Sequence, residues 1–470
     1  MPGGLLTDLY ELNMAVSYLR RGMTGRATFS LFVRRLPADR GFLIAAGLED
    51  CLAFLEQFAF TAADLAWLAE SQGFTGPDLE ALRRLRFTGE VWAVPEGTTV
   101  FAGEPLVEVT APIAEAQLAE TVLLNHVTFQ TGIASKAARC ALAAPAAQLV
   151  DFSFRRTQGI EAGLAVARAS AIAGFTATSN TEAARRYGLT AAGTMAHSYV
   201  EAFGSEDRAF TAFAGDFPGK TTFLVDTYDT GQGVRAAIDV ALRLRLPGPV
   251  GVRLDSGDLA ALAVRARRLL DDAGLPDARI FASGGLDEHA IAALVASGAP
   301  IDAYGVGTKM GVSADAPYLD SAYKLVAYAG RPVMKLSQGK ATWPGAKQVH
   351  RGPAGDVLAL RDEPRPRGHE PLLIPVMRDG RRLGPPEPLA QARQRCAASL
   401  AWLPPAARAL RKPAPVPVTI SPALAALRRR LARDLRGRPA AVGPLPITDR
   451  LREWCDGWSR RPFDECQRGR

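Results

Sequence analysis

From about residue 145 to 330 the chain repeats one grammar: a short apolar, β-rich run, a loop of Gly, Ser, Thr or Asp, then an amphipathic helical stretch. This is the grammar of βαβ units, and it demands a parallel sheet covered by helices. The apolar runs are AAQLVDFSF, FTATS, LTAAGT, TTFLVDTYDT, PVGVRLDSGD, ARIFASGG, IDAYGVGT and, more weakly, AYKLVAYAG. Eight runs predict a closed barrel. Between them, GIEAGLAVARASAIAG, GQGVRAAIDVALRL, LAALAVRARRLLDDAG and LDEHAIAALVASG carry apolar residues at helical spacing and end near Gly, as outer helices would.

The flanks read differently. Residues 1–130 start helical, pass through the strand-like runs ATFSLFVRRL, RFTGEVWAVPEGTTV and PLVEVTAPI, and end in a helix, which predicts an N-terminal α/β, β-rich domain. The catalytic barrel is then expected over 131–330. Residues 331–435 hold short Pro- and Gly-rich strands expected to pack back on the N-terminal domain, and 436–470 form a basic extension. The predicted fold class is therefore α/β: an irregular (β/α) barrel of parallel strands, with an N-terminal α/β domain completed by C-terminal strands.

Composition removes several function classes. A 470-residue chain with 48% hydrophobic and 22% charged residues buries enough surface to fold without disulfides or a structural metal. The five cysteines are scattered and form no C-x-x-C pair, which fits reduced thiols in the cytoplasm and gives no dedicated metal site. The start MPGGLLTDLYELN has acidic residues where a secretory signal is basic and apolar, and no run of about 18 apolar residues occurs anywhere, so a soluble, non-membrane protein is expected. The net charge of +8 is concentrated after residue 400, where 15 Arg and Lys face 6 Asp and Glu. That tail reads as a solvated helix with a loose extension or, alternatively, as a docking surface for anions. Nucleic acid is not an expected partner.

The loops that follow the strands carry the chemistry, because in such barrels they gather on one face. LTAAGTMAHSYVEAF ends a strand at Gly193 and Thr194 and presents His197 and Ser198, the histidine either aimed at that face or capping the next helix. PVGVRLDSGDLAAL offers Arg253 at a strand end, suited to a planar carboxylate. After it come Asp255 and Asp258, suited to ribose hydroxyls or pyrophosphate-bound Mg²⁺, although Asp258 also fits a helix N-cap. Ser283, Gly284 and Gly285, with Gly305, Gly307 and Thr308, end two late strands and suit a phosphate cradle, or simply tighten turns. Arg155 and Arg156 suit a polyanion, with a surface ion pair the alternative for one of them, and Asp226, Thr227 and Tyr228 end another run.

Taken together, LLTDLYELNMAVSYLRRG, FVRRLP, RRTQG, GTMAHS, LVDTYDT, GVRLDSGD, GVGT and YKLVA resemble nicotinate phosphoribosyltransferase, in order over roughly residues 4–350. The resemblance implies formation of nicotinate mononucleotide and pyrophosphate from nicotinate and phosphoribosyl pyrophosphate, in NAD salvage. It also implies coupled ATP hydrolysis, with ATP as co-substrate and Mg²⁺ arriving with ATP and pyrophosphate, through a phosphohistidine at His197. Tyr10 would stack on the pyridine across a homodimer interface, and Arg253 would hold the carboxylate near Thr194. Gly307 and Thr308 would bind the sugar phosphate. Arg156, Ser198, Asp226, Asp258, Ser283 and Gly284 would lie near the phosphoribosyl or pyrophosphate groups.

This chemistry needs little acid–base machinery. The pyridine nitrogen already has a free lone pair, so the enzyme must stabilise charge as pyrophosphate leaves, which arginines, Mg²⁺ and oriented N–H groups do. The rivals are transferases using quinolinate or nicotinamide on a related barrel and, from another class, a silent metabolite sensor or nucleic-acid-associated protein. Tyr10, His197 and Arg253 argue against the latter.

Overall fold

The structure is a computed structural model that describes residues 3–219, 221–337 and 342–437. From residue 438 onward, the basic extension predicted over 436–470 lies outside the described residues.

The repeat region folds into seven parallel strands: β1 (Gln148–Asp151), β2 (Ala177–Thr178), β3 (Thr190–Ala191), β4 (Thr222–Leu224), β5 (Gly251–Leu254), β6 (Arg279–Ala282) and β7 (Ala303–Val306). Their order is β3-β2-β1-β7-β6-β5-β4, so β1 closes on β7 and the sheet stays open between β3 and β4. The connections carry α1 (Ile160–Ile172), α2 (Thr181–Tyr187), α3 (His197–Phe203), α4 (Glu206–Asp216), α5 (Thr230–Leu244), α6 (Leu259–Asp272) and α7 (Glu288–Ala296), with the short α8 (Thr308–Gly311) after β7. Strands covered on both faces read as apolar runs, and Phe223, Leu224, Val252, Leu254 and Ile280 are all buried against the helices. Each such apolar side chain contributes about 1.5–3 kcal/mol through burial.

The eighth run predicted for the barrel belongs elsewhere. Ser321–Tyr328 pairs antiparallel with Arg26–Val33, from Val33 opposite Ser321 to Ala27 opposite Tyr328. Tyr323 fixes this choice: it stacks on Phe29 at 4.7 Å and donates its hydroxyl to the Ala116 carbonyl at 2.7 Å. An eight-residue strand also outruns the two- to four-residue barrel strands and finds full pairing only on a strand of its own length.

That antiparallel sheet has seven strands, ordered Arg331–Pro332, Ser321–Tyr328, Arg26–Val33, Pro105–Pro112, Glu90–Ala93, Ile374–Arg378, Arg381–Arg382. Its last two strands come from the C-terminal segment, so C-terminal strands complete the N-terminal sheet. A four-stranded sheet of Glu370–Pro371, Lys347–Gly352, Gly355–Leu360 and Val418–Ile420 adjoins it. The long helix Glu120–Ala143 runs from this region to the barrel, packing on α1 and α7.

A buried charge network joins the parts. Lys136 contacts Glu288 at 2.6 Å and Asp315 at 2.9 Å, and Arg139 bonds Glu288 at 2.9 Å. Arg40 pairs with Asp315 at 2.9 Å and donates to the Gly132 carbonyl at 2.8 Å. Arg139 also donates to the carbonyls of Asp39 and Leu410. Every charge here has an opposite partner, without which burial would cost several kcal/mol per ion, of order 3–5 kcal/mol when one partner is removed. No single helix among the described residues is long and apolar enough to cross a membrane.

Candidate active site at the barrel mouth

Arg253 is the hub of the mouth. It leaves β5 one residue before the strand ends and donates through three nitrogens: Nε to Ser283 Oγ at 2.8 Å, Nη1 to Thr194 Oγ1 at 2.9 Å, and Nη2 to Asp255 Oδ1 at 2.6 Å. Those acceptors follow β6, β3 and β5, so one side chain ties three post-strand loops together. A guanidinium has five N–H donors, which leaves two for an incoming anion. Its carbon lies 5.3 Å from the Phe152 ring centroid, so the planar cation faces an aromatic floor.

Asp255 is held as a carboxylate. Burial opposes its charge, but hydrogen bonds from Ser283 and Arg253, with the positive charge of Arg253, outweigh that and keep its pKa below the usual carboxylate range. Its backbone N–H donates to Asp226 Oδ2 at 2.9 Å, and Ser256 Oγ donates to the same oxygen at 2.7 Å. Asp226 Oδ1 is buried with no hydrogen-bond partner among the described residues.

His197 opens α3, at the break in the sheet. Its Nδ1 is 3.2 Å from Thr227 Oγ1, and its Nε2 is 3.9 Å from Asp255 Oδ2. The ring is partly exposed, and Ser198 beside it is exposed. Imidazole, guanidinium and carboxylate thus meet at one mouth, as the loop pattern predicts.

A cavity of about 200 Å³ lies there, lined by Phe152, Arg155, Arg156, Arg253, Asp255, Ser283, Gly284, Gly285, Leu286, Gly305, Gly307 and Thr308. Both arginines of the pair reach it, because Phe154–Arg156 is a 3₁₀ turn rather than an extended strand. Neither guanidinium has a partner among the described residues. Glycine is obligatory at 284: φ is +94°, and a Cβ there would sit 1.9 Å from the Asp255 carbonyl oxygen.

Of the predicted residues outside this lining, Thr194, His197 and Asp226 touch it through Arg253 and Asp255, whereas Ser198, Asp258 and Tyr10 lie apart from it. Asp258 is exposed at the N-cap of α6, where its carboxylate accepts from the Ala261 N–H at 3.2 Å. Tyr10 lines a separate cleft of about 390 Å³ with Glu11, Glu120, Phe129, Gln158 and Tyr318. Burial, then the charges of Glu120 and Glu11, push its phenol pKa up, although nearly half of the residue is exposed.

Sequence reasoning passed over Phe152. The signal was an aromatic residue placed directly after β1 and ahead of the arginine pair. It also gave Thr227 no role, since its contact with His197 joins loops thirty residues apart. Among the described residues no group of three or more His, Cys, Asp or Glu could hold a metal ion.

Comparison with known proteins agrees along the chain. Residues 5–128 match the nicotinate phosphoribosyltransferase N-terminal domain, 147–342 the nicotinate phosphoribosyltransferase family, and 361–428 the C-terminal domain of that enzyme. A nicotinate phosphoribosyltransferase of Mycobacterium tuberculosis is 49% identical over 415 residues, spanning 87% of this chain and 89% of the relative. One from Bacillus subtilis is 44% identical over 378 residues, 76% of each chain. The crystal structure of human nicotinic acid phosphoribosyltransferase superposes with a TM-score of 0.80 at 31% identity, covering 90% of this chain and 99% of the other. With the fold, the mouth and these relatives in agreement, the chain belongs to the nicotinate phosphoribosyltransferase family.

Proposed function

We propose that the chain transfers the phosphoribosyl group of phosphoribosyl pyrophosphate to the ring nitrogen of nicotinate, releasing pyrophosphate, in cytoplasmic NAD salvage. The observation that carries this reading is Arg253, with two N–H groups to spare above the Phe152 ring, in a cavity whose other wall is two unpaired arginines and glycine loops. A flat aromatic carboxylate fits the first wall and a phosphorylated sugar the second.

The nicotinate nitrogen attacks the anomeric carbon as the bond to pyrophosphate breaks. Positive charge develops on the sugar and negative charge on the leaving group, which Arg155 and Arg156 offset. Gly307 and Thr308 hold the 5′-phosphate, and Ser283 and Gly284 line the same wall. Asp226, whose Oδ1 lacks a protein partner, would hold a ribose hydroxyl or the Mg²⁺ that arrives with pyrophosphate. Asp255 orients Arg253, and Thr194 closes its other side. Asp258 serves this loop from its cap position.

Coupling to ATP runs through phosphorylation of His197, with Ser198 beside it as a donor to the phosphoryl oxygens. Acceptor oxygens then lie next to the pyrophosphate region, and hydrolysis of the phosphohistidine drives product formation. Tyr10 covers the pyridine from a second copy of the chain. What supports this reading is its separation from the cavity, with Leu6, Leu9, Ile160 and Tyr318 exposed as a dimer interface would require.

The test is to incubate the purified chain with nicotinate, phosphoribosyl pyrophosphate, Mg²⁺ and ATP and to measure mononucleotide and ADP. Mononucleotide formed from nicotinamide but not from nicotinate would overturn the substrate reading. ATP-coupled turnover of His197→Ala equal to wild type would overturn the phosphohistidine. Mixing Tyr10→Ala with His197→Ala subunits should restore part of the activity, and no restoration after verified subunit exchange would overturn the shared site.

A further inference from the structure

The segment from Asp226 to Asp229, between β4 and α5, does two jobs at the mouth: Asp226 receives the Asp255 backbone N–H and Thr227 contacts His197. Its underside rests on an acidic group that no part of the reaction described above uses. Glu206 is the first residue of α4 and is only 8% exposed. The backbone amides of Tyr228 and Thr227 face its carboxyl group, while Oε1 has no hydrogen-bond partner among the described residues. From α5, Gly233 leaves the space the carboxyl fills: a Cβ there would lie 2.9 Å from Glu206 Oε1 and 2.2 Å from the Val225 carbonyl oxygen.

We propose that Glu206 is a positioning residue for the transfer reaction, propping the Asp226–Asp229 segment so that Asp226 and Thr227 hold Asp255 and His197 in register. A residue that merely filled this gap would be apolar, because a buried carboxyl beside Asp226 and Asp229 costs free energy unless the backbone uses it. Burial first, then the charges of Asp229 and Asp226, push its pKa up to about 7 against the opposing amide contacts. Glutamine keeps the length of this side chain and an oxygen acceptor for the backbone amides.

The assignment rests on the reading that phosphoribosyl pyrophosphate lies over Asp226 and His197. The test measures KM for phosphoribosyl pyrophosphate and kcat in the full chain carrying Glu206→Ala, Glu206→Gln, Gly233→Ala or, as a control for that reading, Asp226→Asn. Glu206→Ala should raise this KM at least fivefold, Gly233→Ala should do likewise by displacing Val225, and Glu206→Gln should stay within twofold of wild type. Wild-type constants for Glu206→Ala, or equal damage from Gln and Ala, would overturn the assignment. If Glu206→Ala does not fold, Glu206→Asp decides: shorter by one methylene, it should raise KM where Gln does not, and the reverse ranking overturns the proposal. A raised KM in Asp226→Asn with none in Glu206→Ala refutes Glu206 alone. An unchanged KM in both refutes the substrate placement.

Discussion

His197 and Thr227 stand on opposite sides of the one break in the parallel sheet, and the 3.2 Å contact from Nδ1 to Oγ1 spans it. No backbone ladder joins β3 to β4 among the described residues, so side chains alone set the distance across the mouth at this point. The contact also leaves Nε2 as the ring nitrogen facing Asp255.

Thr227→Val should therefore lower kcat by about tenfold, the worth of roughly one hydrogen bond of 1–1.5 kcal/mol, and Thr227→Ser should restore it. The measurement is steady-state turnover with ATP present, together with ADP formed per mononucleotide. An unchanged kcat for Val would remove Thr227 from the orientation of His197.

Arg253→Ala should raise the nicotinate KM by about 100-fold, because truncating one side of a charged hydrogen-bonded pair costs about 2–5 kcal/mol. Arg253→Lys should not rescue it, since a point charge cannot serve Ser283, Thr194, Asp255 and a carboxylate together. Initial-rate kinetics with nicotinate and nicotinamide check this: weak use of nicotinamide should change little.

At Gly284 the added methyl of alanine meets the Asp255 carbonyl oxygen in a backbone conformation that L side chains avoid. Gly284→Ala should cost about 1–3 kcal/mol in backbone strain alone and raise KM for phosphoribosyl pyrophosphate by moving the 255 and 284 loops apart. Thermal unfolding and KM report the two effects separately. A normal Tm with a normal KM would contradict the geometry.

Far from the mouth, Asp78 accepts two hydrogen bonds at 2.8 Å from Arg20 and two more from Thr75. The bonds from Arg20 come first among the causes that depress its pKa to about 2. A lowered carboxyl pKa contributes stability that is present above the unfolded value near 4 and lost as pH falls through about 2. Allowing for solvent screening of Arg20, Asp78→Asn should cost about 1 kcal/mol at pH 7, and the gap to wild type should close in that acid window. Denaturant unfolding at pH 7 and at about pH 2 measures it, and a pH-independent difference would exclude the ion pair as its source.

Much of this was readable from the chain because barrel strands and their loops are local signals. Arg253, Ser283 and Gly307 sit where an apolar run ends, and a run's end is visible in sequence. What could not be read depends on pairing between distant segments. The run AYKLVAYAG at 322–330 reads as one more barrel strand, and only the register of 321–328 against 26–33 shows otherwise. The N-cap alternative at Asp258 is occupied, yet its spacing alone left both readings open. Glu206 was invisible for a different reason: an acid in the first turn of a helix is ordinary, and nothing local says that another loop lies upon it.

The charge network around Lys136 and Arg139 has a practical corollary for anyone dissecting the chain. Arg139 sits in the long helix against the barrel, yet two of its acceptors are main-chain oxygens at positions 39 and 410. Excising the barrel as a fragment would remove both of those oxygens and leave that guanidinium with Glu288 alone in a dry interior. The catalytic unit is thus inseparable from both ends of the described polypeptide, and truncation at either end should yield insoluble material rather than a smaller enzyme.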